Sequence, residues 1–243
     1  TGPSIDIIGD NPATVELGDD YVDAGASADG GETVTSSSNV DTSIIGSYTV
    51  TYSATDASNN TSSVIRVVNV TDTTAPTITV IGDNPTTIEL GAVYEDAGAS
   101  ATDLSGDVNV TTSGEVDTNT LGSYTLTYSA TDSSGNTATA NRTVKVNDTT
   151  GPVFTSPATF SIEENQTAIG TVTASDLSGD VAFTIASDEI DITIDGVLSF
   201  ISAPDYETKT TYTATVTASD GTNSTTQDIT VNVTNVNDNN PSF

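Results

Sequence analysis

Carboxylates recur in this sequence at matching places. A Glu stands 12 or 13 residues after a proline three times, as Glu16, Glu89 and Glu164. An Asp ends a long alternating segment three times, as Asp56, Asp132 and Asp220, and an Asp precedes the next proline three times, as Asp72, Asp148 and Asp238. Carboxylates are hard oxygen donors. Ca²⁺ takes roughly six to eight oxygens at about 2.3–2.6 Å from carboxylates, amide and backbone carbonyls and water, so a recurring acidic set suits that ion. The bland alternative is that Asp and Asn simply make good turns. Recurrence of the whole set at each unit edge favours the metal reading, and Asp103, in a loop that the second copy enlarges, joins the candidates.

Composition removes most other chemistry. The 243 residues carry 34 acidic and 4 basic side chains, a net charge of −30, and no His, Cys, Met or Trp. Without His or Cys there is no Ser-His-Asp triad, no thiolate nucleophile and no zinc site of nitrogen and sulfur ligands. The charge repels phosphate backbones, which argues against nucleic acid and anionic membranes as partners. No apolar run approaches the length of a membrane span. Asp72-Thr73-Thr74 and Asp148-Thr149-Thr150-Gly151 faintly resemble an aspartic-protease motif, but both sit beside a proline at a unit edge rather than in a cleft. With 8 Tyr, 5 Phe and no Trp, platforms for sugar rings are scarce. No enzyme is expected. Lacking disulfides, a chain of small domains needs another staple, and divalent cations would both cancel the acidic repulsion and crosslink loops.

These carboxylates must be positioned by repeated elements. Ile8-Gly9-Asp10-Asn11-Pro12 returns as Ile81-Gly82-Asp83-Asn84-Pro85, and Gly46 to Asp56 returns, nearly unchanged, as Gly122 to Asp132. Prolines punctuate the chain at Pro3, Pro76, Pro152 and Pro241, where a fixed φ and a missing N–H suit extended connectors. Tyr48, Val50, Tyr52 and Ala54 alternate with Thr and Ser, as do Tyr124, Leu126, Tyr128 and Ala130, and Tyr212, Ala214, Val216 and Ala218. That period of two predicts strands buried on one face, and no window is helical. The expected fold is all-β: three tandem immunoglobulin-like sandwiches in a linear rod, with domains at 1–74, 75–150 and 151–243. A strand running from pole to pole would bring the closing Asp of one unit close to the turn Asp of the next. The sequence begins mid-pattern and is expected to be a segment of a longer extracellular array.

Residues 153–243 resemble a cadherin domain of the bacterial kind, through Glu164-Asn165, Ala203-Pro204-Asp205-Tyr206-Glu207, Val216-Thr217-Ala218-Ser219-Asp220 and Asn235-Val236-Asn237-Asp238-Asn239-Asn240-Pro241. The resemblance implies Ca²⁺ ligands at Glu164, Asp205, Glu207, Asn235, Asn237, Asp238 and Asn239. Asn235 stands where that family has Asp. In the upper motif Asp176 is present, Ser178 replaces its acidic partner, and Asp180 is the nearby substitute. Residues 1 to about 150 resemble immunoglobulin-like and hyalin-repeat-like domains of bacterial surface proteins, through Tyr-Ser-Ala-Thr-Asp-x-Ser-x-Asn and Asp-Thr-Thr-x-Pro.

The expected function is a calcium-rigidified extender of a large adhesin at the bacterial cell surface. Its partners would be neighbouring repeats of the same chain, and it would act as a monomer. Rival readings are a direct glycan- or protein-binding module and an accessory module of a secreted hydrolase.

Overall fold

A computed structural model describes residues 1–237. Among them every regular element is a strand. Two compact units form. One gathers Thr1–Asp83, Ala97–Gly114 and Leu126–Arg142; the other gathers Asn84–Asp96, Glu115–Thr125 and the chain from Thr143 onward. The second repeat therefore contributes segments to both.

In the first repeat β1 (Ile5–Ile7) pairs with β3 (Ala26–Ala28), while β2 (Ala13–Glu16), β6 (Thr61–Thr71), β5 (Gly46–Thr55) and β4 (Thr35–Ser38) lie in that order in a second sheet. The two long strands form a hairpin in which Tyr48 faces Val68 and Tyr52 faces Val64. β2 joins it in parallel, so that Val15 faces Val70 and Glu16 faces Thr71. The second repeat copies this plan. β7 (Thr77–Val80) pairs with β9 (Ala99–Thr102), and β8 (Thr86–Glu89), β10 (Val110–Ser113), β11 (Gly122–Thr131) and β12 (Thr137–Asn147) form a sheet in the order β10-β11-β12-β8.

The third repeat is more elaborate. β13 (Val153–Phe154) pairs with β16 (Ala174–Ser175). β14 (Thr159–Glu163), β17 (Ala182–Ala186), β20 (Thr211–Ser219) and β21 (Ser224–Thr234) build a sheet ordered β14-β21-β20-β17. β15 (Ala168–Thr171), β18 (Ile190–Ile192) and β19 (Val197–Phe200) make a three-stranded partner.

The alternation in sequence becomes burial on one face. Val50, Tyr52, Ala54 and Val68 form the first core with Ile5. In the third repeat Val216, Ala218, Ile229 and Val231 pack with Phe183, Leu198 and Phe200. Each fully buried Val or Ile contributes about 1.5–3 kcal/mol. Two hairpin tyrosines also tie their own strand entry, because the Tyr48 and Tyr124 hydroxyls donate to the carbonyls of Ile44 and Thr120, each at 2.8 Å.

Two of the basic residues point inward, which the sequence reading did not anticipate. Arg66 is 2% exposed and pairs with Asp23. It also donates to the carbonyls of Ile8 and Gly25, and its guanidinium lies 5.6 Å from the centre of the Tyr52 ring. Burial pushes the Asp23 carboxyl up, but hydroxyl donors from Tyr52 and Tyr21 and the Arg66 charge outweigh it and hold the group below its usual range. Arg142 repeats the device, donating to the Tyr128 hydroxyl at 2.9 Å and to the carbonyls of Asp83, Ile81 and Gly98. The signal was in the sequence: Val64, Arg66, Val68 and Val70 share one phase of the strand.

Candidate metal centres

Hairpin turns fix the first ligand of each candidate centre. After β11 the chain reverses through Asp132-Ser133-Ser134-Gly135-Asn136, with Gly135 at φ 92° in the left-handed region. Asp132 Oδ1 accepts the N–H groups of Ser134 (2.9 Å) and Asn136 (2.8 Å), and Oδ2 accepts the Asn136 side-chain amide at 2.8 Å. Burial pushes the Asp132 carboxyl up, and these donors overcome it and hold the group below the ordinary Asp range. Asp56 makes the same turn with Ser58 and Asn60, and its carboxyl is lowered chiefly by the Asn60 side chain. Asp220 accepts from Thr222 and Asn223, and the Asn223 N–H lowers it most.

A five-residue string supplies the second ligand. Asp-Leu-Ser-Gly-Asp occurs at 103–107 and again at 176–180. Asp103 Oδ1 accepts the N–H and hydroxyl of Ser105 at 2.8 and 2.6 Å, and Asp176 Oδ1 accepts the same groups of Ser178, both at 2.7 Å. Each loop is held so that its Asp turns toward the hairpin. The third ligand belongs to the connector. Asn136 donates its amide to the Asp72 carbonyl at 3.2 Å, and Asn223 does the same for Asp148 at 3.3 Å. These two Asn side chains orient connector and hairpin together. Sequence reading gave them no role, although the Asp-x-x-x-Asn spacing was visible in both immunoglobulin-like copies.

The outcome is a triad built twice. Asp72, Asp103 and Asp132 bring one carboxylate oxygen each within 4.8 Å of one another, and so do Asp148, Asp176 and Asp220. Two unit charges at that separation repel by about 1 kcal/mol in water and several times more near a protein surface. The Oδ2 atoms of Asp72, Asp148 and Asp220 are shielded from solvent and have no hydrogen-bond partner. A shielded, unpaired carboxylate oxygen is costly unless a donor or cation reaches it.

The third cluster joins Glu164, Asp205 and Glu207, again within 4.8 Å. Glu164 is 2% exposed and accepts the N–H groups of Tyr206 (2.9 Å) and Val236 (2.7 Å). Asp205 is held below the usual range chiefly by the Thr208 hydroxyl. Asn235 reaches the cluster by donating to Glu207 Oε1 at 2.9 Å.

Other candidates lie apart. Glu16 and Glu89 take hydrogen bonds from the Thr pairs 73–74 and 149–150 and belong to none of the three clusters. Asp56 and Asp180 lie outside these clusters, and Asp180 and Asn237 are exposed. Asp238 and Asn239 lie outside the described residues.

Beside the first triad lies a cavity of about 370 Å³ walled by Glu16, Leu17, Thr74, Thr102 and Leu104. Among the described residues no helix is long and apolar enough to cross a membrane.

Comparison with known proteins follows the same division. Residues 5–70 and 78–146 each match the family described as bacterial surface protein, Ig-like domain. The chain is similar to hyalin of Strongylocentrotus purpuratus, 40% identical over 123 residues covering 46% of this chain and 10% of hyalin. It is also similar to the serine-rich adhesin for platelets of Staphylococcus aureus, 36% identical over 132 residues covering 47% of this chain and 6% of the adhesin. An uncharacterized 81.3 kDa protein of Acholeplasma phage L2 is 33% identical over 165 residues, 61% of this chain and 22% of that protein. The chain thus spans less than a quarter of the length of these relatives. Among solved structures, the extracellular cadherin domains 1–5 of protocadherin gamma B2 align with a TM-score of 0.44 and 19% identity over 98% of this chain and 61% of theirs. Mouse cadherin-23 domains EC22–24 align at 0.43 and 20% over 68% of each. With two copies of one domain covering more than half of its length, the chain belongs to the bacterial surface protein Ig-like domain family.

Proposed function

We propose that this chain is an extender segment of a larger extracellular bacterial adhesin, in which Ca²⁺ joins successive repeats. The observation that carries the reading is the recurrence of one triad, connector Asp with loop Asp and hairpin Asp, at 72–103–132 and 148–176–220. Each triad draws one ligand from the connector and two from the repeat that follows it. A cation held there removes the mutual repulsion and ties the connector to the next repeat. Oxygen donors alone suit a hard ion such as Ca²⁺, and extracellular modules of this kind bind at about 10⁻⁴–10⁻³ M, matched to calcium outside cells. Glu164, Asp205 and Glu207 would hold a further ion, with Asn235 alongside. The role is mechanical: a stiff spacer that carries an adhesive region away from the surface.

Small-angle scattering and thermal melting of the 243-residue chain in millimolar calcium and in chelator test this. Longer, narrower dimensions and a higher midpoint with calcium are expected. Identical dimensions and midpoints in both conditions would overturn the proposal.

A further inference from the structure

Three Glu residues hold the same place after a proline, yet their oxygens are used differently. An ionised carboxylate has about four lone-pair sites. Glu16 accepts four hydrogen bonds, all from one Thr pair: Oε1 accepts the N–H groups of Thr73 (2.8 Å) and Thr74 (3.1 Å) and the Thr74 hydroxyl (2.9 Å), and Oε2 accepts the Thr73 hydroxyl (2.7 Å). Glu89 clasps its own Thr pair with three donors, the Thr149 N–H shared by both oxygens, the Thr149 hydroxyl and the Thr150 hydroxyl. Glu164 accepts only two N–H groups and keeps two sites open toward Asp205 and Glu207.

We infer that Glu16 and Glu89 are metal-free latches that clasp the connector Thr pair, leaving each immunoglobulin-like connector a single-ion site at its Asp triad. The inference rests on the calcium reading above and sets its stoichiometry. A second observation independent of acidic clustering supports the triad as the ion's place: Asp72, 9% exposed, has an Oδ2 atom that nothing pairs, and Asp148 and Asp220 each carry another. Three carboxylates neutralise one divalent ion with a single charge left over, whereas a second ion would have to compete with the Thr pairs for the Glu16 and Glu89 oxygens. The connector is therefore held twice, once by a cation that comes and goes with calcium and once by a clasp that does not. Leu17 and Leu90, the residues after the latches, are buried and anchor them, and their N–H groups bond the Thr71 and Asn147 carbonyls at 2.8 Å.

Native mass spectrometry of the full chain with calcium, beside melting in chelator, tests this. D72A should lose one ion, whereas E16Q and E89Q should lose none and keep calcium affinity within about twofold, yet melt lower than wild type in chelator. Replacing the donors instead, with T73A and T74A together, should give the same signature while leaving the carboxylate intact. Loss of an ion from E16Q or from E89Q, or of two ions from D72A, would overturn the inference while leaving calcium stapling intact. A wild-type chain that takes up no calcium would overturn both. Unchanged melting of E16Q and of the Thr double variant in chelator would remove the latch.

Discussion

Within the first repeat a carboxylate meets a cation, and at the end of the same repeat three carboxylates meet one another. Asp23 lies against Arg66, with the Tyr52 hydroxyl donating at 2.5 Å. Asp72 lies among Asp103 and Asp132 with an oxygen that nothing pairs. Only 4 basic side chains serve 34 acidic ones, and two of them, Arg66 and Arg142, are buried inside sandwiches. The difference teaches that internal charge is balanced by the chain's own side chains, whereas among the described residues no basic side chain pairs with the Asp triads. Stability of the sandwich should then be intrinsic and that of the connector conditional.

The sharpest way to break this contrast is to remove the internal cation. R66A leaves Asp23 shielded without its partner and opens the contacts to Ile8 and Gly25; a loss of about 3 kcal/mol is expected, at the low end for a broken buried pair because Asp23 retains some exposure. Urea unfolding with and without calcium measures it, and the loss should be equal in both. Calcium removal comes next. At free calcium about a hundredfold above the dissociation constant, each ion should add ~2.7 kcal/mol, read as a shift of the melting midpoint on chelation.

Acid weakens both regions, since Asp23 is lowered as well as the connector and hairpin carboxylates. Glu16, Glu89, Asp56, Asp132, Asp205 and Asp220 all titrate below their usual values in the folded chain. A carboxyl lowered on folding contributes stability that is complete above the unfolded pKa, about 3.9–4.3, and is lost as pH falls through the lower folded value. The midpoint in chelator should therefore fall on acidification below about pH 4. A rise through that window would mean that relief of repulsion among the triad carboxylates dominates. The smallest effect is expected at Leu104, which is 79% exposed although a methyl on Gly18 would lie 3.2 Å from it. L104A should change stability by less than about 0.5 kcal/mol.

Much of this was legible beforehand because period-two alternation maps directly onto burial: Tyr52, Tyr128 and Val216 are inward where the pattern puts them. The hairpin and connector Asp residues were legible because turns and proline edges mark strand ends. The pairing of connector Asp with hairpin Asp was foreseen, but the place of the loop Asp beside them was not. Asp103 and Asp176 stand far from Asp72 and Asp148 in sequence, and only folding shows that one loop string serves both triads. Glu16 and Glu164 occupy equivalent places, and sequence treats them alike. Their separation depends on how many donors surround each carboxylate, which is a property of the folded connector.

The most direct measurement is diffraction from crystals grown in abundant calcium. The account predicts an ion bonded at about 2.3–2.6 Å to oxygens of Asp72, Asp103 and Asp132, and another among Asp148, Asp176 and Asp220. Water alone between those carboxylates at saturating calcium would contradict it.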